Sequence, residues 1–326
     1  MRVLVTGAAG FIGSHLSELL VAQGHFVVAL DDLSTGRIEN LAALDDHESF
    51  RFVEGDCLDK TLVAKLMNDC DACVHLAAAV GVKLIVERPV HTIETNVKAT
   101  EIVLETAAEH GSPVLLASTS EVYGKSDKAP FREDDDISLG PTTHSRWAYA
   151  CSKALDEWLA LAYARERGLP VTITRFFNTV GPRQTGRYGM VLPTFAAQAL
   201  KGDPITVYGS GEQTRCFAHV RDVVKAVVRL LTEPSAVGRV FNVGTSEEVT
   251  ISALAERVKT RAASASPIVF IPYEKAYAEG FEDMPRRVPD VTRLREALGF
   301  VPETPLDEII DDVLADQRKR LEAPPA

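Results

Sequence analysis

The sequence has few of the features that mark secreted, membrane or disulfide-stabilised proteins. Its 326 residues contain five cysteines, an odd number that does not suit a framework of disulfides. No uninterrupted apolar run reaches the length of about 18 residues that a membrane-spanning helix needs. The N-terminus passes from MRVLV straight into glycine-rich sequence, without the pattern of a cleavable signal. We therefore expect a cytoplasmic protein with no membrane partner.

The sequence also lacks an excess of basic residues. It contains 35 lysines and arginines against 46 aspartates and glutamates, which gives a net charge of −11 at pH 7. Because binding to the phosphates of nucleic acid needs a basic patch, we expect no nucleic-acid partner. Any anionic ligand must therefore be bound by arginines that are clustered locally.

Two of the cysteines, Cys70 and Cys73, form a CxxC pair. Such a pair can be redox-active or can supply half of a zinc site. Neither a second CxxC nor a pair of histidines accompanies it, and Cys73 begins the apolar segment CVHLAAA. We therefore expect buried free thiols here and predict no metal site.

What the sequence does contain is a regular alternation of short apolar runs and helical patterns. The runs include RVLVTG, FVVALD, FRFVEGD, ACVHLAA, SPVLLAS and VTITRF, and segments such as FIGSHLSELLVAQG separate them. Short apolar runs between helices are typical of parallel strands that are buried on both faces. The alternation predicts an α/β fold with a Rossmann-type, doubly wound parallel sheet.

The texture of the sequence changes after Asn178, where Gly, Pro and Arg become frequent and the predicted elements become shorter. We therefore predict two domains. The first spans residues 1–177, and a smaller C-terminal lobe spans residues 178–326. Parts of the segment 216–245, which contains long apolar patterns, are expected to return to the first domain.

A cofactor site is indicated by Gly7, Gly10 and Gly13, which lie directly between the first predicted strand and the first helix. Glycines at this turn let the backbone approach a pyrophosphate, and the helix N-terminus supplies N–H groups; a tight turn alone is the alternative. The second strand ends at Asp31, where a carboxylate can accept hydrogen bonds from ribose hydroxyls and repels a 2′-phosphate. The pattern favours NAD over NADP, and Asp32 can share or take the role of Asp31.

A further carboxylate, Asp56, ends the third predicted strand in the segment EGDCLD. It can reach the adenine amino group of the same cofactor. Its spacing is equally typical of a helix N-cap or a turn residue.

The chemistry is indicated by Tyr149 and Lys153, which stand four apart on a predicted helix from about Trp147 to Arg167 and so share one face. A phenol has a pKa near ~10, and an adjacent ammonium lowers it by stabilising the phenolate. Such a tyrosine can take a proton from a sugar hydroxyl while NAD takes the hydride. This spacing also occurs by chance, but here it accompanies the glycine-rich turn and a hydroxyl cluster at a strand end.

The motifs TGAAGFIGSHL, HLAA, STSEVYG, YACSK, RFFNTVGPRQ, VYGSGEQTR and RRVPD follow one another in an order that resembles the extended short-chain dehydrogenase/reductase family. The similarity is to its nucleotide-sugar epimerases, dehydratases and decarboxylases, and it covers essentially the whole chain. It implies that Thr119, Tyr149 and Lys153 are catalytic and that NAD is retained through a full cycle of oxidation and reduction. It implies further cofactor contacts from Phe11, Ile12, Leu58, Leu76, Ala77, Ala78 and Asn96.

The resemblance also implies a nucleotide-sugar substrate bound by the second lobe. It implies that Asn178 contacts the diphosphate and that Arg215 and Arg287 face the phosphates. It also implies that Tyr208 lies beside the nucleobase. Arg183 is expected to face the sugar or its carboxylate. For each arginine the alternative is a solvated charge or a structural salt bridge, but a cluster of guanidinium groups in an acidic protein suits phosphate and carboxylate oxygens.

The branches of the family differ between the catalytic threonine and the following tyrosine. Dehydratases resemble one another in an Asp-Glu pair there, whereas this chain has Ser120 before Glu121. Simple 4-epimerases mostly lack the acid. The pairing of Ser120 with Glu121 resembles the UDP-glucuronate decarboxylases, and Arg287 matches an arginine that this branch places near the sugar.

In this branch, oxidation at C4 makes the C6 carboxylate β to a carbonyl, so that CO2 can leave, and Glu121 would return a proton to C5. The expected product is UDP-xylose, the UDP-4-keto-pentose, or both. The alternatives are a UDP-glucuronate 4-epimerase, in which Glu121 is a cap or salt-bridge partner, and a sensor of NAD or nucleotide sugars without catalysis. The resemblance implies a homodimer through a two-helix face, which can include the predicted helix near Val90 to His110.

Overall fold

The computed structural model describes residues 1–79, 88–144, 147–186, 190–276 and 284–322. Within them, seven parallel strands form one sheet in the order β11-β6-β5-β4-β1-β2-β3. These strands are β1 (Arg2–Thr6), β2 (Phe26–Asp31), β3 (Phe50–Glu54), β4 (Ala72–His75), β5 (Val114–Thr119), β6 (Val171–Phe176) and β11 (Arg239–Val243). The sheet confirms the predicted α/β, doubly wound fold.

Helices cover both faces of the sheet. The helices are α1 (Phe11–Ala22), α2 (Lys60–Asn68), α3 (Pro89–His110), α4 (Ala148–Arg167), α5 (Val191–Lys201), α6 (Val220–Thr232), α7 (Ile251–Arg261), α8 (Tyr273–Ala276), α9 (Thr292–Leu298) and α10 (Leu306–Glu322). Val3 and Val5 of β1 pack in one core with residues of α1 and α6, whereas Leu4 packs in the other core with residues of α2, α3 and α4. Successive side chains of a strand point to opposite faces, so a strand covered on both sides must be apolar throughout.

Shorter strands form small sheets in the C-terminal half. They are β7 (Thr179–Val180), β8 (Ile205–Tyr208), β9 (Thr214–Cys216), β10 (Ala218–His219), β12 (Glu248–Thr250), β13 (Ile268–Ile271) and β14 (Arg286–Arg287). Strand β7 pairs with β10, β8 with β13, and β9 lies between β12 and β14. The segment 216–245 supplies α6 and β11, which pack on and join the large sheet. A division into two domains near residue 178 stays a prediction.

A buried polar network fixes α4 against β5. Arg175 of β6 donates from Nη2 to Glu157 Oε2 of α4 at 2.7 Å, and Ser118 of β5 donates to Oε1 of the same glutamate. Just beyond β5, the Tyr123 hydroxyl donates to Asn242 Oδ1 at 2.7 Å. The bonds to the Glu157 carboxylate are charge-assisted, and such hydrogen bonds are short and strongly oriented. They hold the middle of α4 beside the carboxyl end of β5.

Cys70 and Cys73 are buried free thiols, which confirms the prediction made from their surroundings. Burial raises the pKa of Cys70 to about 11, and it raises the pKa of Cys73 as well. Both side chains are therefore protonated packing residues at neutral pH. Among the described residues, no helix combines the length and the apolar character needed to cross a membrane.

Candidate active site

A cleft of about 880 Å³ lies at the carboxyl ends of the large sheet. Residues at or just after the ends of β1, β2, β4, β5 and β6 form its floor, and loops of the C-terminal half close its other side. Parallel α/β sheets bind ligands at this edge. The predicted site residues that line the cleft are Gly7, Gly10, Phe11, Ile12, Gly13, Asp31, Asp32, Asp56, Leu58, Leu76, Ala77, Ala78, Thr119, Ser120, Glu121, Tyr149, Lys153, Asn178, Arg183 and Arg287.

Asn96, predicted to contact the cofactor, lies behind the cleft wall rather than in it. Its side chain is buried, its Oδ1 accepts a hydrogen bond from the Ala79 N–H at 2.8 Å, and its Nδ2 donates to Ser152 Oγ at 3.3 Å. Asn96 therefore ties the chain after β4 to α4. Its contact with a cofactor stays a prediction.

Two predicted substrate residues, Tyr208 and Arg215, are not among the cleft-lining residues. Tyr208 ends β8 and is exposed. Arg215 is buried next to Arg287 in the paired strands β9 and β14, and its Nη1 donates to the carbonyl oxygens of Thr214 and Met284 at 2.8 Å each. Arg215 thus lies beside the cleft-lining Arg287, and Tyr208 lies at the end of β8, outside the cleft lining.

The glycine-rich turn forms a cradle that only small residues can make. Gly7 has φ +68°, and a Cβ at this position would lie 2.8 Å from the Ala77 backbone nitrogen. A Cβ at Gly13 would overlap the Gly7 carbonyl oxygen. Helix α1 begins after Gly10 without a side-chain cap, so its first N–H groups are left for another acceptor. This geometry fits the pyrophosphate of a dinucleotide.

Asp31 and Asp32 occupy different environments at the end of β2. Asp31 is buried, and its two carboxylate oxygens accept hydrogen bonds from the N–H groups of Ala9 at 2.9 Å and Leu33 at 2.8 Å. Burial raises the pKa of Asp31, against the effect of these hydrogen bonds. Asp32 is exposed and accepts from the Ser34 N–H at 2.9 Å. Asp31 is therefore the carboxylate whose position the fold fixes.

The spacing of Asp56 left open whether it caps a helix or reaches adenine. Its Oδ1 accepts from the Leu58 N–H at 2.9 Å, in a turn, while Asp59 is the N-cap of α2. Asp56 also lines the cleft next to Leu58. Asp56 is therefore not a helix N-cap. It accepts a hydrogen bond within a turn, and it also lines the cleft.

The predicted catalytic group converges at the junction of β5 and α4. Thr119 ends β5, and its Oγ1 accepts from the Glu121 N–H at 3.2 Å. Tyr149 and Lys153 lie in the first two turns of α4 and line the cleft with Thr119. Sequence reasoning missed the partner of the lysine, Asp156, whose Oδ2 accepts from Lys153 Nζ at 2.9 Å. The sequence feature that could have revealed this partner is an acid three residues after the lysine on the same helix, a spacing at which side chains meet.

Glu121, Asn178 and Arg287 meet although they come from three distant segments. Arg287 Nη2 donates to Asn178 Oδ1 at 2.5 Å, and its Nη1 lies 3.5 Å from Glu121 Oε1. The carboxylate and the guanidinium are each mostly buried in the cleft wall. Glu121 therefore forms a salt bridge, which was one of the predicted alternatives to a catalytic role. Its partner, Arg287, is itself a predicted substrate-binding residue.

Arg183 lines the cleft and also contacts the cofactor helix, and its predicted contact with the sugar stays a prediction. Its Nη2 donates to Glu18 of α1, the helix that follows the glycine turn. In the same helix, the distance from His15 Nε2 to the Pro182 carbonyl oxygen is 3.0 Å. Arg183 thus lines the cleft from the side of the cofactor helix. Glu18 carries no local sequence signal, because it pairs with a residue 165 positions away.

Known proteins resemble this chain over nearly its whole length. It is 42% identical to the UDP-N-acetyl-alpha-D-glucosaminuronate decarboxylase of Bacillus cytotoxicus, over 96% of both chains. It is 36% identical to UDP-glucuronic acid decarboxylase 1 of Danio rerio, over 98% of this chain and 73% of that one. The UDP-glucose 4-epimerase of Thermus thermophilus, solved in complex with NAD, is 32% identical with a TM-score of 0.84, over 98% of this chain and 99% of that one. Residues 3–244 match the NAD dependent epimerase/dehydratase family, and the chain belongs to that family.

Proposed function

We propose that the protein is an NAD-dependent decarboxylase of a UDP-hexuronate, with UDP-glucuronate as substrate and UDP-xylose, UDP-4-keto-pentose or both as product. The observation that carries the proposal is the contact of Glu121 with Arg287 inside the cleft that also holds Thr119, Tyr149 and Lys153. A C4 oxidation and reduction alone needs only the last three residues. An additional acid and a guanidinium beside them suit a substrate that carries a carboxylate and must regain a proton.

The cofactor half of the cleft fits NAD. The cradle at Gly7 and Gly13 and the uncapped start of α1 would hold the pyrophosphate, and Asp31 would accept hydrogen bonds from the adenosine ribose. When bound, NAD supplies the hydride acceptor for C4 and later returns the hydride.

Tyr149 is the proposed base that takes the proton from the C4 hydroxyl. The ammonium of Lys153, one turn along α4, stabilises the phenolate. The Thr119 hydroxyl, at the end of β5, is placed to hydrogen-bond the same C4 oxygen. In the last step Tyr149 returns its proton to that oxygen when C4 is reduced.

Once C4 is a ketone, the C6 carboxylate is β to a carbonyl. The C5–C6 bond breaks, CO2 leaves, and the electron pair remains in an enolate over C4 and C5. Glu121 is the proposed acid that delivers or relays a proton to C5. Arg287 orients Glu121 and faces the sugar, while Ser120, Asn178, Arg183, Arg215 and Tyr208 are proposed to bind the remainder of the nucleotide sugar.

A second substrate is favoured by one observation. The relative that is 42% identical over 96% of both chains is named for UDP-N-acetylglucosaminuronate, which differs from UDP-glucuronate at C2. The chemistry at C4, C5 and C6 is the same for both compounds. Parallel assays with the two UDP-hexuronates, with mass analysis of the products, decide between them.

Reaction in D2O tests the proposed reaction itself. Decarboxylation yields a pentose nucleotide that has lost CO2 and carries one deuterium at C5. A 4-epimerase yields a product of unchanged mass without carbon-bound deuterium, and a sensor yields no product. Either of the last two results contradicts the proposal.

The Glu121→Gln variant separates the proton donor from the hydride chemistry. We expect bound NADH, followed by absorbance, to appear at nearly the wild-type rate, while formation of the deuterated pentose slows by about 10². The matched control is Glu94→Gln, another cleft-lining glutamate that pairs with Lys98 on the surface of α3. If Glu121→Gln makes the labelled pentose at the wild-type rate, another group protonates C5.

A homodimer is also proposed, on the evidence of apolar side chains exposed on two helices. Val90 and Ile93 of α3 are 69% and 42% exposed, and Leu155 and Trp158 of α4 are 45% and 59% exposed. Large apolar groups of this kind mark protein interfaces when they cluster. Light scattering after size exclusion gives the mass that tests it. The cytoplasmic location stays a prediction.

A further inference from the structure

A buried carboxylate lies directly behind the catalytic lysine. Lys153 Nζ donates to Asp156 Oδ2 at 2.9 Å, and the two side chains are 3% and 0% exposed. The Thr100 hydroxyl of α3 faces the same carboxylate, whose Oδ1 accepts no short hydrogen bond from the described residues. Burying a carboxylate and an ammonium is costly, and a buried ion pair seldom stabilises a fold more than apolar side chains would. A role in the site is the better explanation for this acid.

The charges around this ion pair are otherwise matched or absent. Glu157, the next residue on α4, is paired with Arg175 of β6 at 2.7 Å. His75 of β4 faces Lys153, but burial and the lysine charge lower its pKa to about 3, so it is neutral. Among the described residues, Asp156 therefore pairs with Lys153, whereas the neighbouring Glu157 pairs with Arg175.

Several neighbouring side chains of α3 and α4 are uncharged. The Thr100 hydroxyl of α3 faces the Asp156 carboxylate. Asn96 of α3 hydrogen-bonds Ser152, the residue before Lys153, and Tyr149 lies one turn before Lys153 on α4. None of these neighbours carries a charge at neutral pH. Lys153 and Asp156 are thus a charged pair on the helix of Tyr149, and Arg287 with Glu121 forms a second charged pair in the cleft that Tyr149 lines.

We propose that Asp156 is a positioning residue for the proposed reaction, which holds Lys153 Nζ in place and offsets part of its charge, and so sets the pH at which Tyr149 becomes a base. The ammonium favours the phenolate, and a carboxylate in contact with that ammonium weakens the effect. The inference rests on the proposed function, because it needs Tyr149 to act as the base.

The test is the pH profile of kcat/KM for the UDP-hexuronate that the wild type converts. Asp156→Asn keeps an oxygen acceptor for Lys153 but removes the negative charge, so the phenolate becomes easier to form. We expect the acid limb to move to lower pH by about one unit. Asp156→Ala also removes the acceptor, and we expect the same direction of shift with a kcat about tenfold below that of Asp156→Asn.

A purely structural acid would give a different result. Asp222→Asn is the matched control, since Asp222 is also buried, lies on α6 and accepts a hydrogen bond from the Thr304 hydroxyl. This control should lower the Tm without moving the pH profile. If Asp156→Asn likewise lowers the Tm and leaves the acid limb in place, the proposal is wrong.

A second pair of variants keeps the proposal testable if Asp156→Asn does not fold or the wild type shows no turnover. Lys153→Met leaves Asp156 as an uncompensated buried acid, and the double variant Lys153→Met with Asp156→Asn removes that acid. We expect the double variant to melt higher than Lys153→Met alone. Equal Tm values would show that the two side chains are not paired and would overturn the inference. Absence of turnover by the wild type, in contrast, contradicts only the proposed function.

Discussion

The two sides of the cleft are built in different ways. On the cofactor side, the wall consists of backbone turns at strand ends, such as the cradle at Gly7 and the loop that hydrogen-bonds Asp31. On the sugar side, it consists of long side chains from separate segments, such as Arg287 with Glu121 and Asn178. The first side is set by chain geometry, and the second is set by ion pairs between residues far apart in sequence.

This difference has consequences for ligand binding. A backbone cradle is already formed before the ligand arrives, because the residues that make it cannot adopt other conformations without losing the strand or the helix. Guanidinium contacts with Glu121, Asn178 and Glu18 can be exchanged for contacts with phosphate or carboxylate oxygens of a substrate. We therefore expect substitutions on the cofactor side to change affinity for NAD, and substitutions on the sugar side to change turnover.

The largest effect is expected where the two sides meet, at Tyr149. Tyr149→Phe removes the proposed base, and we expect kcat to fall by about 10²–10⁴ while NAD binding and the Tm stay near the wild type. Tyr163→Phe, on the same helix but outside the cleft lining, is the control. If Tyr149→Phe kept more than about a tenth of the activity, a difference of only ~1.4 kcal/mol in barrier, another group must be the base.

The next largest effect is expected at Arg287 on the sugar side. Arg287→Met removes the contacts with Glu121 and Asn178, and the loss of such charged hydrogen bonds should lower kcat/KM by about 10- to 100-fold. Arg286→Met is the matched control, because this neighbouring guanidinium pairs with Glu248 instead. Steady-state kinetics of the two variants give the comparison. Equal losses would mean that net positive charge matters rather than the position of Arg287.

The same difference explains how much could be predicted from the sequence. The strands, the glycine turn and Asp31 follow local rules of periodicity and spacing, and the structure has each of them where the sequence places it. The partners Glu18 and Asp156 were missed, since one lies far away in sequence and the other needs a known side-chain direction. The sugar-side residues came from resemblance to a family, and resemblance cannot show which atoms an arginine contacts.

A smaller effect is expected from Asp31, and it tests the cofactor side. Asp31→Ala removes the carboxylate that disfavours a 2′-phosphate, so the preference for NAD over NADP should fall by about tenfold, or ~1.4 kcal/mol. Asp32→Ala is the control, since Asp32 is exposed and accepts its hydrogen bonds from Ser34 of its own turn. Titration of each variant with both cofactors measures the ratio. A wild type that binds NAD and NADP equally well would contradict the NAD assignment.

The smallest effect is expected on stability and concerns His75, which lies under the cleft at the end of β4. Burial, and to a lesser degree the charge of Lys153, lower its pKa from 6.5 to about 3, and its Nδ1 lies 2.7 Å from Thr6 Oγ1. Between these two pH values the unfolded chain binds a proton at this position and the folded chain does not. The contribution of neutral His75 to the free energy of unfolding is therefore complete above pH 6.5. It is lost progressively as the pH falls toward 3.

His75→Gln removes the titrating group but keeps hydrogen-bonding capacity toward Thr6. At pH 7 the variant should be less stable than the wild type. At pH 5 the difference between their free energies of unfolding should be smaller by about 2 kcal/mol, which is a few degrees in Tm. Replacing the exposed His47 by Gln is the control, and its stability difference from the wild type should stay constant, because this ring contacts solvent in the folded and the unfolded chain alike. Urea unfolding of the three proteins at both pH values measures the change. If the stability difference at His75 does not depend on pH, the ring takes up its proton over the same pH range in the folded and the unfolded chain. At pH 5 Asp156 would then face two cations, His75 and Lys153.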